Sequence, residues 1–305
     1  MGKIVLAGGT GFIGSYIQQQ YQAGGHQVVV ISRSKPNVQW KDEAAIRQAL
    51  EGADLLVNLA GKSVDCRYNE ANKKAIMESR TRTTATLGRV LGECNNPPPL
   101  WLNSSTATIY RDARDRPQTE ADGEIGSGFS VNVAKAWEKE FFQSKLPAVQ
   151  QIALRIAIVL GPGGGVMTPY KNLVKFGLGG RQGDGKQMFS WIHIEDLFRI
   201  IEFLRENTHL AKPPAVVNCA APNPVTNTQL MRNFREVMGA PFGLPAAKWM
   251  LEIGAVMLQT ETELILKSRW VLPERLQQAG FQFQYPELRA ALKAILAADS
   301  NTRKA

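Results

Sequence analysis

The sequence predicts an α/β protein built on a doubly wound parallel β-sheet. Short apolar runs rich in β-branched residues alternate with segments of helical periodicity through the first half of the chain. The first run leads directly into a glycine-rich loop that opens a helix. Strands that alternate with helices form βαβ units, whose right-handed crossovers place helices on both faces of a parallel sheet.

The elements of this sheet follow in order along the chain. Each strand-like run is followed at once by glycine or serine, and the runs are Lys3–Ala7, Gln27–Ile31, Asp54–Ala60, Leu100–Ser104 and Gln150–Leu160. Helices are predicted where apolar residues recur every three or four positions, at Phe12–Gln22, Glu43–Glu51, Asn72–Cys94 and Asn132–Lys145.

Beyond residue 160 the alternation loosens. Two glycine-rich segments, Gly161–Gly165 and Gly177–Gly185, interrupt the chain. A helix is predicted at Ile194–Glu206 and a further strand at Val216–Cys219, whereas prolines break the helical pattern after Pro222. We therefore expect a sheet domain at 1–165, rejoined by 191–221. A smaller, mainly helical substrate lobe is expected at 166–190 and 222–305.

Composition excludes several classes of protein. Three dispersed cysteines and three dispersed histidines predict neither a disulfide scaffold nor a metal site, and they fit a reducing, cytoplasmic setting. No apolar stretch has the length of a membrane span. The net charge of +9 comes from scattered basic residues, which predicts no nucleic-acid partner. It indicates either a basic solvated surface or attraction of an anionic ligand.

The glycine loop predicts a dinucleotide site. Gly8, Gly11 and Gly14 lie between the first strand and the first helix, within a segment that also holds Thr10, Phe12 and Ile13. In this context the glycines permit a tight turn, close approach of backbone to a pyrophosphate, and packing of helix on strand. The amino end of the helix favours the anion. The predicted fold is therefore a Rossmann fold.

The end of the second strand indicates which dinucleotide binds. An NAD site usually places an acidic residue about twenty residues beyond the glycine loop, on the ribose hydroxyls. This chain instead reads Ile31-Ser32-Arg33-Ser34-Lys35. Arg33 can pair with a 2′-phosphate and Ser32 can donate a hydrogen bond to it. The predicted cofactor is NADP(H).

Several motifs resemble the extended short-chain dehydrogenase/reductase superfamily, which includes nucleotide-sugar epimerases and dehydratases. The similar segments are Asn58–Gly61, Asn103–Tyr110, Gly183–Gln187 and Trp191–Asp196. A narrower resemblance is to an atypical branch named "epimerase family protein", also described as cell-division-inhibitor-like. It is carried by Glu78–Arg80, Trp137–Glu138, Val159–Gly165, Gly177–Gly180, Trp191–Ile194, Leu272–Leu276 and Ala279–Phe283.

That resemblance implies an NADP(H)-binding protein similar to nucleoside-diphosphate-sugar epimerases and oxidoreductases. It implies cofactor contacts at Ser32, Arg33, Leu59, Ala60 and Arg80. The substrate is expected to be a polar small molecule whose identity the resemblance does not supply. By analogy with the superfamily, a homodimer would form through the helices at 72–94 and 132–145.

The superfamily's catalytic trio of Ser or Thr, Tyr and Lys is incomplete in this chain. Thr106 stands where the resemblance places the hydroxyl residue, but no tyrosine occurs between Tyr110 and Tyr170. Alignment on Glu138 puts Ser130 and Ala134 at the Tyr and Lys positions. Counting from Thr106 puts Val131 and Lys135 there instead. Neither register supplies the phenol that transfers the proton.

Two functions are therefore predicted. The first is an enzyme that uses Thr106 and a substitute for the phenol, the candidates being Lys135, His193, Asp196 and a water held by Thr106 and Ser105. The second is a non-catalytic regulatory or redox-sensing protein that binds NADPH. A lone histidine before a helix is more often a structural hydrogen-bond partner, and Asp196 fits the acidic start of a helix.

Overall fold

The computed structural model describes residues 1–34, 36–207, 215–246 and 266–302. Its strands are β1 (Lys3–Ala7), β2 (Gln27–Ser32), β3 (Val38–Gln39), β4 (Leu55–Asn58), β5 (Leu100–Thr106), β6 (Gln150–Ile156), β7 (Ile158–Leu160), β8 (Met188–Phe189), β9 (Trp191–His193), β10 (Ala215–Cys219) and β11 (Val225–Thr226). Its helices are α1 (Phe12–Ala23), α2 (Glu43–Leu50), α3 (Glu70–Gly92), α4 (Phe129–Gln143), α5 (Met167–Lys175), α6 (Ile194–Glu206), α7 (Asn227–Met238), α8 (Glu274–Gln278) and α9 (Leu288–Thr302). A 3₁₀ turn at Ala107–Ile109 follows β5.

Seven strands form one parallel sheet in the order β3-β2-β1-β4-β5-β6-β10. Val5 of β1 lies opposite Val29 of β2 on one side and Leu56 of β4 on the other. The direction in which strands are added therefore reverses between β1 and β4. Ligands of doubly wound sheets bind at this switch point, outside the carboxyl ends of the strands. The predicted fold is confirmed.

Helices cover both faces of the sheet because successive strand residues point to opposite sides. Leu6 of β1 belongs to a buried cluster with Ile17 of α1 and Ile200 of α6. Val5, its neighbour, belongs to a second cluster with Leu87 of α3. The central strands are buried on both faces, so the loops at their carboxyl ends are held by a packed core.

A smaller lobe forms around α5, α7 and α9, which share a third buried cluster. Within it Tyr170 of α5 stacks on Phe234 of α7, with ring centroids 5.2 Å apart. Leu292 of α9 and Trp191 of β9 belong to the same cluster. Between α6 and α7 the chain returns to the main sheet, where β10 pairs with β6. The domain limits drawn from the sequence stay predictions.

The structure departs from the predicted elements after β6. The strand expected at Gln150–Leu160 divides at Ala157, whose N–H donates to the Cys219 carbonyl at 3.0 Å. Its second part, β7, pairs with β9 outside the main sheet. Helix α7 was not placed from the sequence, although Thr226 and Gln229 form a capping box at its start. Short strands and single turns depend on tertiary partners that periodicity does not reveal.

Residues 35, 208–214, 247–265 and 303–305 lie outside the described ranges, and they include part of the lobe predicted over 222–305. Among the described residues, no helix combines the length and the hydropathy needed to cross a bilayer.

Candidate functional site

Three glycines of the loop after β1, Gly8, Gly11 and Gly14, differ in the space around them. Gly8 has φ +80°, and a Cβ there would lie 2.7 Å from the backbone of Ala60. A Cβ on Gly14 would lie 2.6 Å from the Cα of Gly9. In contrast, a Cβ on Gly11 would meet nothing nearer than the Gly8 carbonyl at 4.0 Å. The fold needs Gly8 and Gly14, whereas Gly11 faces open space.

The amino end of α1 lies at this open space. Gly11 is the N-cap residue, and no side chain caps the helix. Thr10 and Gly11 are exposed, and Phe12 and Ile13 are half-buried. The first N–H groups of a helix have no partner within it, and the helix dipole favours negative charge at this end. The loop can therefore receive a phosphate group.

Among the described residues at the end of β2, Arg33 is a cation and none is a carboxylate. Arg33 is exposed, and it forms no ion pair with a described residue. Ser32 is buried, and its hydroxyl donates to the Ser34 carbonyl at 3.0 Å while it accepts from Asn37 Nδ2 at 3.1 Å. The hydroxyl thus closes the turn after β2. Its donation to a 2′-phosphate stays a prediction, whereas the Arg33 guanidinium is exposed.

The loop after β4 is held by its own asparagine. Asn58 Oδ1 accepts from the Ala60 N–H at 3.0 Å, and Asn58 Nδ2 donates to Asn103 Oδ1 at 2.6 Å. The Leu59 N–H donates to the Ala7 carbonyl at 2.7 Å. Leu59 and Ala60 are thereby fixed against the glycine loop. Two of the predicted cofactor contacts lie together with that loop at the switch point of the sheet.

Arg80 brings a second cation toward this loop from α3. Its Nη1 donates to the carbonyls of Ile76 and Lys62, and its guanidinium lies 5.1 Å from the ring centroid of Trp137. Burial lowers the pKa of Arg80 to about 10. No carboxylate of a described residue pairs with it, and a Cβ on Gly61 would lie 3.0 Å from its Cζ. An incompletely compensated cation here favours an anionic ligand.

Thr106 lies where β5 ends and is half-buried. Its Oγ1 accepts from the Thr108 N–H at 3.1 Å and caps the 3₁₀ turn, which leaves its own proton available for donation. Next to it, the Ser105 hydroxyl donates to Glu138 Oε1 at 2.6 Å. Of the two hydroxyls expected to hold a water, that of Ser105 is therefore already engaged.

Glu138 belongs to a buried hydrogen-bonded network. It pairs with Arg155 through two N–H···O bonds of 2.9 Å each. Arg155 Nη1 also donates to the Tyr110 hydroxyl at 2.9 Å, which in turn donates to Asn218 Oδ1 at 3.0 Å. Burial raises the pKa of Tyr110, and its side chain is 2% exposed. The network fixes the end of β5 and leaves the Tyr110 phenol closed to a substrate.

Helix α4 carries the residues of both registers considered for the missing pair. Val131 and Ala134 are buried, in the same cluster as Ala107 and Tyr110. Lys135 is exposed. Successive helical residues are rotated by about 100°, so each register has one buried member, Val131 in one and Ala134 in the other. Lys135 belongs to the exposed face of α4, and its role in proton transfer stays a prediction.

His193 and Asp196 contact the chain segment that follows α8. His193 Nδ1 accepts from the Glu195 N–H at 3.1 Å, and its ring centroid lies 4.0 Å from that of Tyr285. Burial lowers the pKa of His193 to about 4. The buried Asp196 carboxylate accepts the N–H groups of Gln284 and Tyr285, each at 2.8 Å. These contacts give both residues a structural role.

Metal chemistry has no evident ligand set here. Within the described ranges, no three His, Cys, Asp or Glu side chains converge closely enough to hold an ion. The site's polar groups are instead backbone N–H groups, two arginines and a threonine hydroxyl, a set suited to a phosphorylated organic ligand.

Comparison with known proteins identifies the family. The model of the NAD dependent epimerase/dehydratase family matches residues 4–220, a range that contains both loops, Arg33, Arg80 and Thr106. The chain belongs to this family. A second model, described as a domain of unknown function (DUF1731), matches residues 246–295. The family binds NAD(P)(H), as the glycine loop predicted.

Epimerase family proteins resemble this member of the family over its whole length. The Homo sapiens protein SDR39U1 is 32% identical over 303 residues, covering 97% of this chain and 100% of that protein. YfhF of Bacillus subtilis is 32% identical, covering 97% and 98% of the two chains. The predicted kinship with the "epimerase family protein" branch is confirmed.

Solved structures agree with this family assignment. The crystal structure of human SDR39U1 (isoform2) with NADPH has a TM-score of 0.86 and 32% identity, covering 98% of this chain and 99% of that one. The UDP-N-acetylglucosamine 4-epimerase of Bacillus cereus has a TM-score of 0.76 at 16% identity, over 99% and 97% of the chains. The second likeness extends to the fold alone.

Proposed function

We propose that this family member binds NADP(H) in preference to NAD(H). The single observation that carries the proposal is the charge at the end of β2, where Arg33 is exposed and no acid precedes it. An acid there would bind ribose hydroxyls and repel a 2′-phosphate, whereas a guanidinium pairs with that phosphate. The NADPH in the human SDR39U1 structure supports the same choice.

The cofactor is held, in this proposal, by three parts of the described chain. The N–H groups at Gly11, Phe12 and Ile13 face the pyrophosphate, Leu59 and Ala60 line the adenosine side, and Arg80 adds a cation beside them. NADP(H) supplies hydride transfer when bound. The protein binds and orients it.

The catalytic role follows from Thr106. Its hydroxyl can donate to a carbonyl oxygen of a polar substrate, because Oγ1 acts only as an acceptor, from the Thr108 N–H, and so keeps its proton for donation. The position of the phenol is taken by Ser130 in one register and by Val131 in the other, so neither register places a tyrosine on α4. The function is therefore that of an NADP(H)-dependent oxidoreductase or epimerase in which water completes proton transfer.

A second candidate function is a non-catalytic NADPH-binding regulator. The observation that favours it is the closure of the Tyr110 phenol within the Arg155 network, together with the outward position of Lys135. The Tyr110 phenol is therefore already engaged, and Lys135 lies on the exposed side of α4.

Isotope exchange distinguishes the two functions. The protein would be incubated with deuterated NADPH and a panel of nucleotide sugars, keto acids and aldehydes, and deuterium in the products measured by mass spectrometry. Transfer that is lost in Thr106→Ala, with NADPH affinity unchanged, would support the enzyme. Tight NADPH binding without transfer to any compound would favour the regulator. Failure to bind NADPH would refute both.

The predicted homodimer and the predicted cellular location of the protein both stay proposals. The exposed residues of α4 include Asn132, Lys135, Lys139 and Gln143, all of them polar. A homodimer built through α3 and α4 would therefore need a polar interface, which sedimentation at low and high salt would test. The cytoplasmic location is a prediction from the sequence, based on the dispersed cysteines and on the lack of a signal-peptide or membrane-spanning pattern.

A further inference from the structure

The loop Gly161–Gly165, which joins β7 to α5, packs against the first residue of α1. A Cβ on Gly161 would lie 3.0 Å from Cζ of Phe12, and one on Gly165 would lie 3.1 Å from its Cε1. A Cβ on Gly164 would overlap the same ring. The loop lies this close because these three positions have no side chain.

Phe12 connects this loop to the dinucleotide site. It is the first residue of α1, directly after the N-cap Gly11 that faces open space. A displacement of the Gly161–Gly165 loop would free one side of the Phe12 ring. The backbone N–H groups beside Phe12 would then be less firmly directed toward a phosphate. Such groups act as an anion site only when they are held in place.

Asp299 of α9 holds the loop from its other side. Its Oδ1 accepts the Gly163 N–H at 2.9 Å, and its Oδ2 pairs with Lys171 of α5. The side chains of Asp299 and Lys171 are 14% and 19% exposed. A hydrogen bond to a charged acceptor is stronger than one between neutral groups. One carboxylate thus connects the last helix, α5 and a glycine whose φ is +73°.

We propose that Asp299 is a positioning residue for NADP(H), acting through Gly163 and Phe12 on the phosphate end of the site. The inference rests on the proposed NADP(H) binding and adds to it a role for the C-terminal helix. Asp299 itself touches no part of the bound dinucleotide in this scheme. Its removal loosens the loop that supports Phe12.

The test compares the affinity of the protein for NADPH with its affinity for a fragment of NADPH that does not reach the amino end of α1. Adenosine 2′-phosphate carries the group that Arg33 is proposed to bind but has no pyrophosphate. Fluorescence or calorimetric titration of Asp299→Ala should show NADPH affinity reduced about tenfold, the effect of losing one charge-assisted hydrogen bond between the loosened N–H groups of α1 and the phosphate. Affinity for adenosine 2′-phosphate should stay within twofold of the wild type.

Glu236→Gln is the matched control. Glu236 pairs with Arg232 of α7 and Arg289 of α9, so its replacement removes an ion-pair partner of α9 without touching the loop. It should leave both affinities unchanged. Unchanged NADPH affinity in Asp299→Ala would overturn the proposal, and so would an equal loss of both ligands, since that means general damage.

Asp299→Asn serves if the alanine variant does not fold. It keeps an oxygen acceptor for Gly163 but loses the charge, so NADPH should weaken about threefold while the fragment does not. Wild-type affinity for NADPH would again overturn the role of Asp299. If the wild-type protein itself fails to bind NADPH, the proposed function fails, and that result is separate from either variant's.

Discussion

Replacing Gly11 by valine tests the cofactor site without disturbing the fold. Gly11 has φ −84° and ψ 175°, which any residue adopts. A Cβ at this position would approach only the Gly8 carbonyl, at 4.0 Å. The side chain would therefore occupy the open space at the amino end of α1, where the pyrophosphate is proposed to lie.

In this variant the expected loss of folding stability is much smaller than the expected loss of binding free energy. Valine is a poorer N-cap residue than glycine, which costs about 0.5–1 kcal/mol of stability. Backbone N–H bonds to a charged phosphate contribute about 1.5–3 kcal/mol each, so loss of two would weaken binding by about 3–6 kcal/mol. That corresponds to a factor of about 10² to 10⁴ in the dissociation constant.

The assay is titration of NADPH followed by its fluorescence, alongside urea unfolding of the free protein. Gly14→Ala is the contrasting variant, because its Cβ would lie 2.6 Å from the Gly9 backbone and should destabilise the fold itself. Retained NADPH affinity in a folded Gly11→Val protein would refute the placement of the pyrophosphate at this helix end.

Three further predictions concern charge. Arg33→Ala should weaken NADPH by about 1.5–3 kcal/mol and NADH far less; equal losses in parallel titrations would show that Arg33 does not read the 2′-phosphate. Glu138→Gln should destabilise the protein by about 3–5 kcal/mol in urea unfolding, because it leaves the Arg155 charge buried without a carboxylate; Glu43→Gln, in an exposed pair, is the control and should change little. Burial lowers the pKa of His193 to about 4, below its unfolded value, so the folded state resists its protonation. Stability should therefore fall by about 3 kcal/mol as the pH drops from 6.5 to 4, and a His193→Gln variant that showed the same decline would contradict this assignment.

Local pattern was sufficient to predict the first βαβ unit and helix α6. The strand Lys3–Ala7, the start of α1 at Phe12 and the limits Ile194–Glu206 were predicted as they occur. Each has a signal in adjacent residues, such as glycines after an apolar run or acids in a first turn. Short-range chemistry decides these elements, so the sequence alone reveals them.

The candidate site was less accessible to sequence reasoning. Whether Ala134 or Lys135 faces inward depends on the rotation of α4 against Tyr110, and the residues that usually mark that rotation are absent. The Arg155 contact that closes Tyr110 joins positions 45 residues apart. The support of Gly163 by Asp299 spans 136 residues. Contacts of this range have no local signature, and only the packed fold brings them together.

The close approach of Gly8 to the Ala60 backbone affects the step at which the conformational entropy of these loops is lost. The two loops at the switch point are packed together and hydrogen-bonded to the strands through contacts within the chain itself. The conformational entropy of ordering them is therefore lost during folding and not during association. Binding to such a preorganised surface retains more of its interaction energy as affinity than binding to a loop that must first be ordered.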